Sequence, residues 1–217
     1  AKLKQHNPNL DTINFGGGMA VPYEKRKKLF SIKNLVSQMI KTAKKESDKL
    51  QIKHPNLVCE WGSYFTAPSQ ITIFKILCEK TIFKKPDTKW YFIDGSFIAH
   101  LTDTWSVVRH KWHFTTANHL NTRRLQKVWI AGSTCDSDDR YTASGSYVLL
   151  PKLTEDVPDL YLVVFDTGSY QDTFANNHCL ISKPAIVICQ NGEVRLSRRR
   201  QTPEELGKLF GWNGDHK

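Results

Sequence analysis

The 217-residue sequence contains no apolar run long enough to span a membrane. Its opening, Ala1-Lys2-Leu3-Lys4-Gln5-His6, lacks the apolar centre of a secretory signal, so no membrane partner is expected. The five cysteines are scattered, with no paired framework and no Cys-x-x-Cys, which argues against a disulfide scaffold and for a reduced, cytoplasmic protein. The glycine triplet Gly16-Gly17-Gly18 is not followed by Lys-Ser/Thr and lacks dinucleotide-fingerprint spacing, excluding the two commonest phosphate motifs. His110 and His113 suit neither one helix face nor a zinc finger, so no metal is expected. The formal charge is +10, but its runs (Lys25 to Lys28, Lys44-Lys45, Lys84-Lys85 and Arg198 to Arg200) are not interleaved with aromatics. They read as solvated faces, and no nucleic-acid partner is expected. There is no internal repeat or low-complexity segment.

What is present suffices for a folded domain: 40% hydrophobic and 24% charged residues. Residues 1–68 read as α/β. A strand enters Gly16, a helix runs from Ser31 to about Glu46, and a second strand covers Leu57 to Glu60. Within the helix, Ile32, Leu35, Val36, Met39, Ile40 and Ala43 recur at helical spacing and predict a core-facing stripe. From Ser69 onward the pattern changes to short strands: Ile71 to Ile82, Trp90 to Phe97, Leu125 to Ile130, Tyr147 to Leu150, Leu160 to Phe165 and Ala185 to Cys189. Asn191-Gly192 predicts a hairpin turn. Thr202-Pro203-Glu204-Glu205 predicts a closing helix with a capping box.

Four strand ends bear chemistry. Ile13-Asn14-Phe15 runs into Gly16, Gly17 and Gly18, whose bare backbone can approach a phosphate, although three glycines also make an ordinary tight turn. Val58-Cys59-Glu60-Trp61-Gly62-Ser63 ends in a carboxylate and a Gly-Ser turn. Val128 to Ser133 leads to Thr134-Cys135-Asp136-Ser137-Asp138, a thiol among carboxylates; a packed Cys before an Asp/Ser turn is the alternative there. Phe165-Asp166-Thr167-Gly168-Ser169-Tyr170-Gln171 presents an aromatic hydroxyl. Asp94, in Ile93-Asp94-Gly95-Ser96, reads either as a further carboxylate for substrate or as a strand-end turn.

In this order the segments resemble the pyridoxal-phosphate decarboxylases of basic amino acids: ornithine, diaminopimelate and biosynthetic arginine decarboxylases. The arginine branch is the nearest. Its signs are Asn121-Thr122-Arg123-Arg124 ahead of Thr134 to Asp138, Leu101-Thr102-Asp103-Thr104-Trp105, and Gly168 to Gln171 followed by Asn177-His178. The similarity runs from about Asp11 to Trp212. It implies the last strands and helices of a (β/α)8 barrel over residues 1–68, then a C-terminal β-domain, sandwich- or barrel-like, over 69–217.

It also implies roles. Pyridoxal phosphate would be held by Gly16, Gly17, Gly18, Gly62, Ser63 and Tyr170 at its phosphate and by Glu60 at its ring nitrogen. Cys135 would return a proton to the substrate's α-carbon, and Asp136, with Asp94 as a second candidate, would meet the distal cation. Where better-known relatives have Pro-Gly-Arg after the glutamate, this chain has Trp61-Gly62-Ser63, which brings no phosphate-pairing charge. Only ten residues precede Asp11, and no lysine matches the one that anchors the cofactor. The resemblance therefore implies that a further barrel portion or separate chain supplies the lysine, and that this chain alone is inactive. It further implies a dimer-based homo-oligomer with shared sites, and conversion of arginine to agmatine on the way to spermidine. Two other readings stay open: a non-catalytic binding or regulatory relative of the same fold, and a basic nucleic-acid-binding module.

Overall fold

The computed structural model describes residues 2–23, 31–82, 88–106, 111–141, 147–154 and 159–214. The Lys25 to Lys28 run, Lys84-Lys85 and His110 lie outside the described residues. After a short helix α1 (Lys2–His6), strand β1 (Thr12–Asn14) leads to helix α2 (Ile32–Lys49), strand β2 (Asn56–Val58) and the single-turn helix α3 (Gly62–Thr66). β1 and β2 pair in parallel, Thr12 opposite Asn56 and Asn14 opposite Val58. Ser31 caps α2 by accepting from the Asn34 backbone N–H at 3.3 Å.

The remaining strands build one six-stranded sheet: β3 (Thr72–Ile82), β4 (Thr88–Ile93), β5 (Phe114–Thr116), β6 (Leu125–Ala131), β7 (Val148–Pro151) and β8 (Leu160–Val164), in the order β5-β8-β3-β4-β6-β7. All neighbours are antiparallel except β4 and β6, whose connection contains α4 (Asp103–Ser106) and β5. The two edge strands, β5 and β7, approach each other, so the sheet is nearly closed. Alternation turns Phe74 and Ile76, Tyr91 and Ile93, Val128 and Ile130, and Leu160 and Leu162 inward as one core. The buried Tyr91 hydroxyl is satisfied: it donates to the Pro151 carbonyl at 2.7 Å and accepts from Leu153 N–H at 3.0 Å.

Helix α5 (Gln171–Phe174) follows β8. The hairpin β9 (Ile186–Gln190) and β10 (Glu193–Arg198) turns at Asn191 (φ 52°) and Gly192 (φ 83°), the left-handed pair of a type I′ turn. Helix α6 (Pro203–Leu209) carries the expected capping box, Glu205 N–H to Thr202 Oγ1 at 3.2 Å and Thr202 N–H to Glu205 Oε2 at 3.0 Å.

Three expectations need correction. β4 ends at Ile93, short of Phe97, because the Asp94 N–H turns to the Lys75 carbonyl (2.9 Å) and Gly95 turns tightly against Phe74, where a Cβ would lie 2.2 Å from the ring. β2 ends at Val58, short of Glu60, whose N–H leaves the ladder for the Gly16 carbonyl. The α2 stripe is not core: its apolar residues are only half-buried, Ile40 is exposed, and Ser47 is the helix's one buried residue.

Candidate active site

The parallel register of β1 and β2 points both C-terminal ends the same way, as parallel strands do where they present a site. Phe15 N–H donates to the Val58 carbonyl and Glu60 N–H to the Gly16 carbonyl, each at 2.9 Å, so the two loops close on one another. Asn14 joins them twice: its Nδ2 donates to Glu60 Oε1 at 2.5 Å, and its Oδ1 accepts from Gly16 N–H at 2.7 Å. Gly16 (φ +70°) and Gly18 (φ +82°) occupy left-handed backbone, and a Cβ at either, or at Gly62, would meet nothing within 4 Å. The loops are open, exposing backbone that side chains would otherwise screen. At Gly17 an added Cβ would lie 3.2 Å from the Glu60 carbonyl, so this residue sets the spacing of the loops.

The third loop locks against α3. Ser169 Oγ donates to Ser63 Oγ at 2.9 Å, Gly168 N–H to the Ala67 carbonyl at 3.0 Å, and Thr72 Oγ1 to Thr167 Oγ1 at 2.9 Å. A Cβ on Gly168 would sit 2.1 Å from the Thr66 carbonyl oxygen, a position only glycine tolerates. Fully buried Gln171 ties this loop to α4: its Nε2 donates to Asp103 Oδ2 at 2.7 Å, and its Oε1 accepts from Asp103 N–H at 3.2 Å. Two of the sequence elements that carried the resemblance are thus bonded to each other. Tyr170 has left-handed backbone (φ 65°), is exposed, and stacks on Phe174 at 5.4 Å. The chain beyond Gly18 returns to this loop through Tyr23, whose phenol is pushed up to about 12, first by desolvation, then by the carboxylates of Asp103 and Asp166 and by Tyr170. Gly16 to Gly18, Glu60 to Ser63 and Ser169-Tyr170 therefore form one connected loop cluster.

Cys135 and Asp136 form a second cluster. Their loop is anchored by Asp139, a buried carboxylate that accepts from Phe97 N–H (2.7 Å), Thr134 N–H (3.1 Å) and Thr134 Oγ1 (2.7 Å). Cys135 Sγ lies 3.8 Å from Cys179 Sγ, and Asp136 Oδ2 lies 3.2 Å from His178 Nε2. Desolvation, then the hydrogen bond and charge of Cys135, push the Cys179 thiol up. Among the described residues, the polar partners of Cys135 and Asp136 lie within 134–139 and at 178–179, and none belongs to the Gly16 or Glu60 loops. Asp94 closes a turn: its Oδ1 accepts from Lys75 N–H at 2.8 Å, opposite the register shift between Ile76 and Cys78. The neighbouring Gly95 carbonyl accepts from Ser133 N–H at 2.8 Å, so the turn supports the foot of the Cys135 loop. Asn14, Tyr23, Ser169, His178 and Cys179 lie in these two clusters, and sequence reasoning gave them no role.

No family model matches the chain. The chain is 30% identical to diaminopimelate decarboxylase of Methanocaldococcus jannaschii over 94% of its own length and 43% of that relative's. It is also 27% identical to diaminopimelate decarboxylase of Bacillus subtilis over 91% of its own length and 43% of that relative's. The crystal structure of the M. jannaschii enzyme in complex with L-lysine superimposes with a TM-score of 0.80 at 28% identity, covering 94% of this chain and 44% of that one. Both the homologous diaminopimelate decarboxylases and arginine decarboxylase are pyridoxal-phosphate enzymes, and the fold here matches the C-terminal portion of decarboxylases of the alanine-racemase fold. The biosynthetic arginine decarboxylase from Campylobacter jejuni covers 98% of this chain with a TM-score of 0.83, at 15% identity, a likeness of fold alone. The leaning toward the arginine branch is therefore corrected to decarboxylases of basic amino acids, represented chiefly by diaminopimelate decarboxylase. The chain spans under half the length of the curated relatives it matches. Among the described residues no group of three or more His, Cys, Asp or Glu is placed to hold a metal, and no helix is long and apolar enough to cross a membrane.

Proposed function

We propose that this chain is the C-terminal portion of a pyridoxal-phosphate decarboxylase of a basic amino acid, with diaminopimelate as the favoured substrate and arginine the alternative. The observation that supports it most is the joining of two parallel strand ends, Glu60 held by Asn14 beside glycines whose added Cβ atoms would point into open space. The residues fit the cofactor. Gly16, Gly17, Gly18 and Gly62 offer unscreened backbone to a phosphate, Tyr170 and Ser63 offer hydroxyls, and Glu60 offers a carboxylate to a protonated ring nitrogen.

When bound, pyridoxal phosphate supplies the electron sink that lets a carboxylate leave as carbon dioxide. Glu60 holds the ring-nitrogen proton by charge, and Asn14 fixes the orientation of that carboxylate. Cys135 donates a proton at the substrate's α-carbon. Asp136 meets the distal cationic group, where a charge-assisted hydrogen bond selects basic substrates. Asp94 is the second carboxylate available to the distal group. Because no polar contact among the described residues joins Cys135 or Asp136 to the Glu60 loops, we assign their loop to the site of a neighbouring subunit in a dimer. Residues 1–68 form the end of the barrel and 69–217 the β-domain, and a barrel portion outside this chain supplies the cofactor's lysine.

The test is decarboxylation of diaminopimelate, arginine and lysine by this chain co-assembled with a barrel portion carrying that lysine. Glu60→Gln is expected to lower kcat by about 10²-fold, as loss of one preorganised electrostatic contact does, with little change in cofactor affinity. Unchanged turnover in Glu60→Gln would remove the ring-nitrogen role. Cofactor binding without turnover of any basic amino acid would make the chain a non-catalytic relative.

A further inference from the structure

The 134–139 loop and the 177–181 turn meet through two consecutive contacts. Cys135 faces Cys179 at 3.8 Å, and Asp136 faces His178 at 3.2 Å, across 44 and 42 residues of sequence respectively. Both thiols are exposed. A disulfide needs an S–S separation of about 2.05 Å, so closure asks for a relative movement of under 2 Å between two surface loops. The backbone at the second thiol is unusual: Cys179 (φ 53°) and Leu180 (φ 57°) are successive non-glycine residues in left-handed conformation. Such a conformation is strained for a residue with a side chain and persists where surrounding contacts enforce it. Here the strained turn directs Cys179 toward Cys135, while the His178–Asp136 contact aligns the two segments.

We propose that Cys135 and Cys179 are a reversible oxidative modification site that hydroperoxides convert to an intramolecular disulfide. One thiolate attacks the peroxide O–O bond. An S–O bond forms, the O–O bond breaks, and hydroxide or alkoxide leaves to take up a proton. The second thiol then attacks the resulting sulfenic sulfur, the S–S bond forms, and the S–O bond breaks with loss of water. The two thiols lose two electrons and two protons, and the hydroperoxide is reduced to water plus water or an alcohol. The raised position of the Cys179 thiol gives it the character of the resolving partner. The bond forms whatever the chain's activity. That it silences an enzyme rests on the role proposed above for Cys135, since the oxidised sulfur has no proton to donate.

The experiment treats the 217-residue chain with hydrogen peroxide, titrates thiols after denaturation and maps tryptic peptides by mass spectrometry. The expected result is a fall from five free thiols to three, with the peptides holding Cys135 and Cys179 joined, and full recovery with dithiothreitol. Cys179→Ser, confirmed folded by circular dichroism, is expected to yield no such joined species. Thiol loss without linkage, or linkage through Cys59, Cys78 or Cys189, would overturn the proposal. In the co-assembled enzyme, peroxide should abolish turnover reversibly and in step with the joined peptide. Full linkage with turnover intact would leave the modification site standing and sink the catalytic role of Cys135 instead.

Discussion

Removing the Asp139 carboxylate is expected to destabilise the chain by about 3 kcal/mol, because Asp139→Ala strands the buried N–H of Phe97 and frees both groups of Thr134. The urea midpoint measures this, and a change under 1 kcal/mol would show that water replaces the carboxylate. His100 makes a pH prediction. Burial holds its pKa below the ordinary 6.5, and the ring sits between Ser96 N–H (3.2 Å to Nδ1) and the Ser182 carbonyl (3.2 Å to Nε2), an arrangement that suits a neutral ring protonated at Nε2. Below pH 6.5 the unfolded chain binds a proton that the folded chain resists. The contribution of His100 is therefore full above 6.5 and lost as the pH falls through the lower folded-state value. An NMR titration midpoint at or above 6.5 for His100 would contradict this. Glu60, Cys135, Asp136 and Tyr170, to which the proposed function gives roles, were legible as candidates because each stands in a strand-end motif. Asn14, Cys179 and Ser169 were not, since their meaning lies in partners 46, 44 and 106 residues away. A one-dimensional pattern does not encode such pairings.

Among elements, those specified by local chemistry were readable to within a residue or two. The Asn191-Gly192 turn and the α6 capping box are set by contacts no more than three residues apart. Strand ends set by long-range bonding, at Ile93 and Val58, were read too long. β5 was missed altogether, because three residues carry too little alternation to register. The join between α3 and the β8–α5 loop yields a sharp test. Gly168→Ala places a methyl 2.1 Å from the Thr66 carbonyl oxygen, so backbone must move. The expected loss is about 2–3 kcal/mol of stability, with the Ser169–Ser63 bond broken. Ser69→Ala, which removes only the hydroxyl donating to the Thr66 carbonyl (2.7 Å), is expected to cost about 1 kcal/mol, and parity between the two would refute the steric account.

For the whole molecule, the β1–β2 pair is the anomaly. Parallel strands are ordinarily covered on both faces, yet Ile13, Phe15 and Val58 are more than 40% exposed, and the α2 stripe beside them in sequence is only half-buried. The isolated chain is accordingly expected to self-associate, with a sedimentation coefficient that rises with concentration and reverts when a barrel portion is supplied. Concentration-independent monomers would show these faces to be tolerated. The six-stranded sheet has a consequence in time. Its central strand β3 pairs with β8, Thr72 opposite Val164, the Thr72 hydroxyl reaches Thr167 just beyond that strand across 95 residues, and its one parallel pairing encloses the whole α4–β5 excursion. Little of this closure is rewarded before most of the chain is gathered, which places folding in the slow regime of non-local topologies, milliseconds to seconds. During that interval the unpaired edges of β3 and β4 would be open to other chains, so the yield of native protein should depend on how dilute it is when it folds.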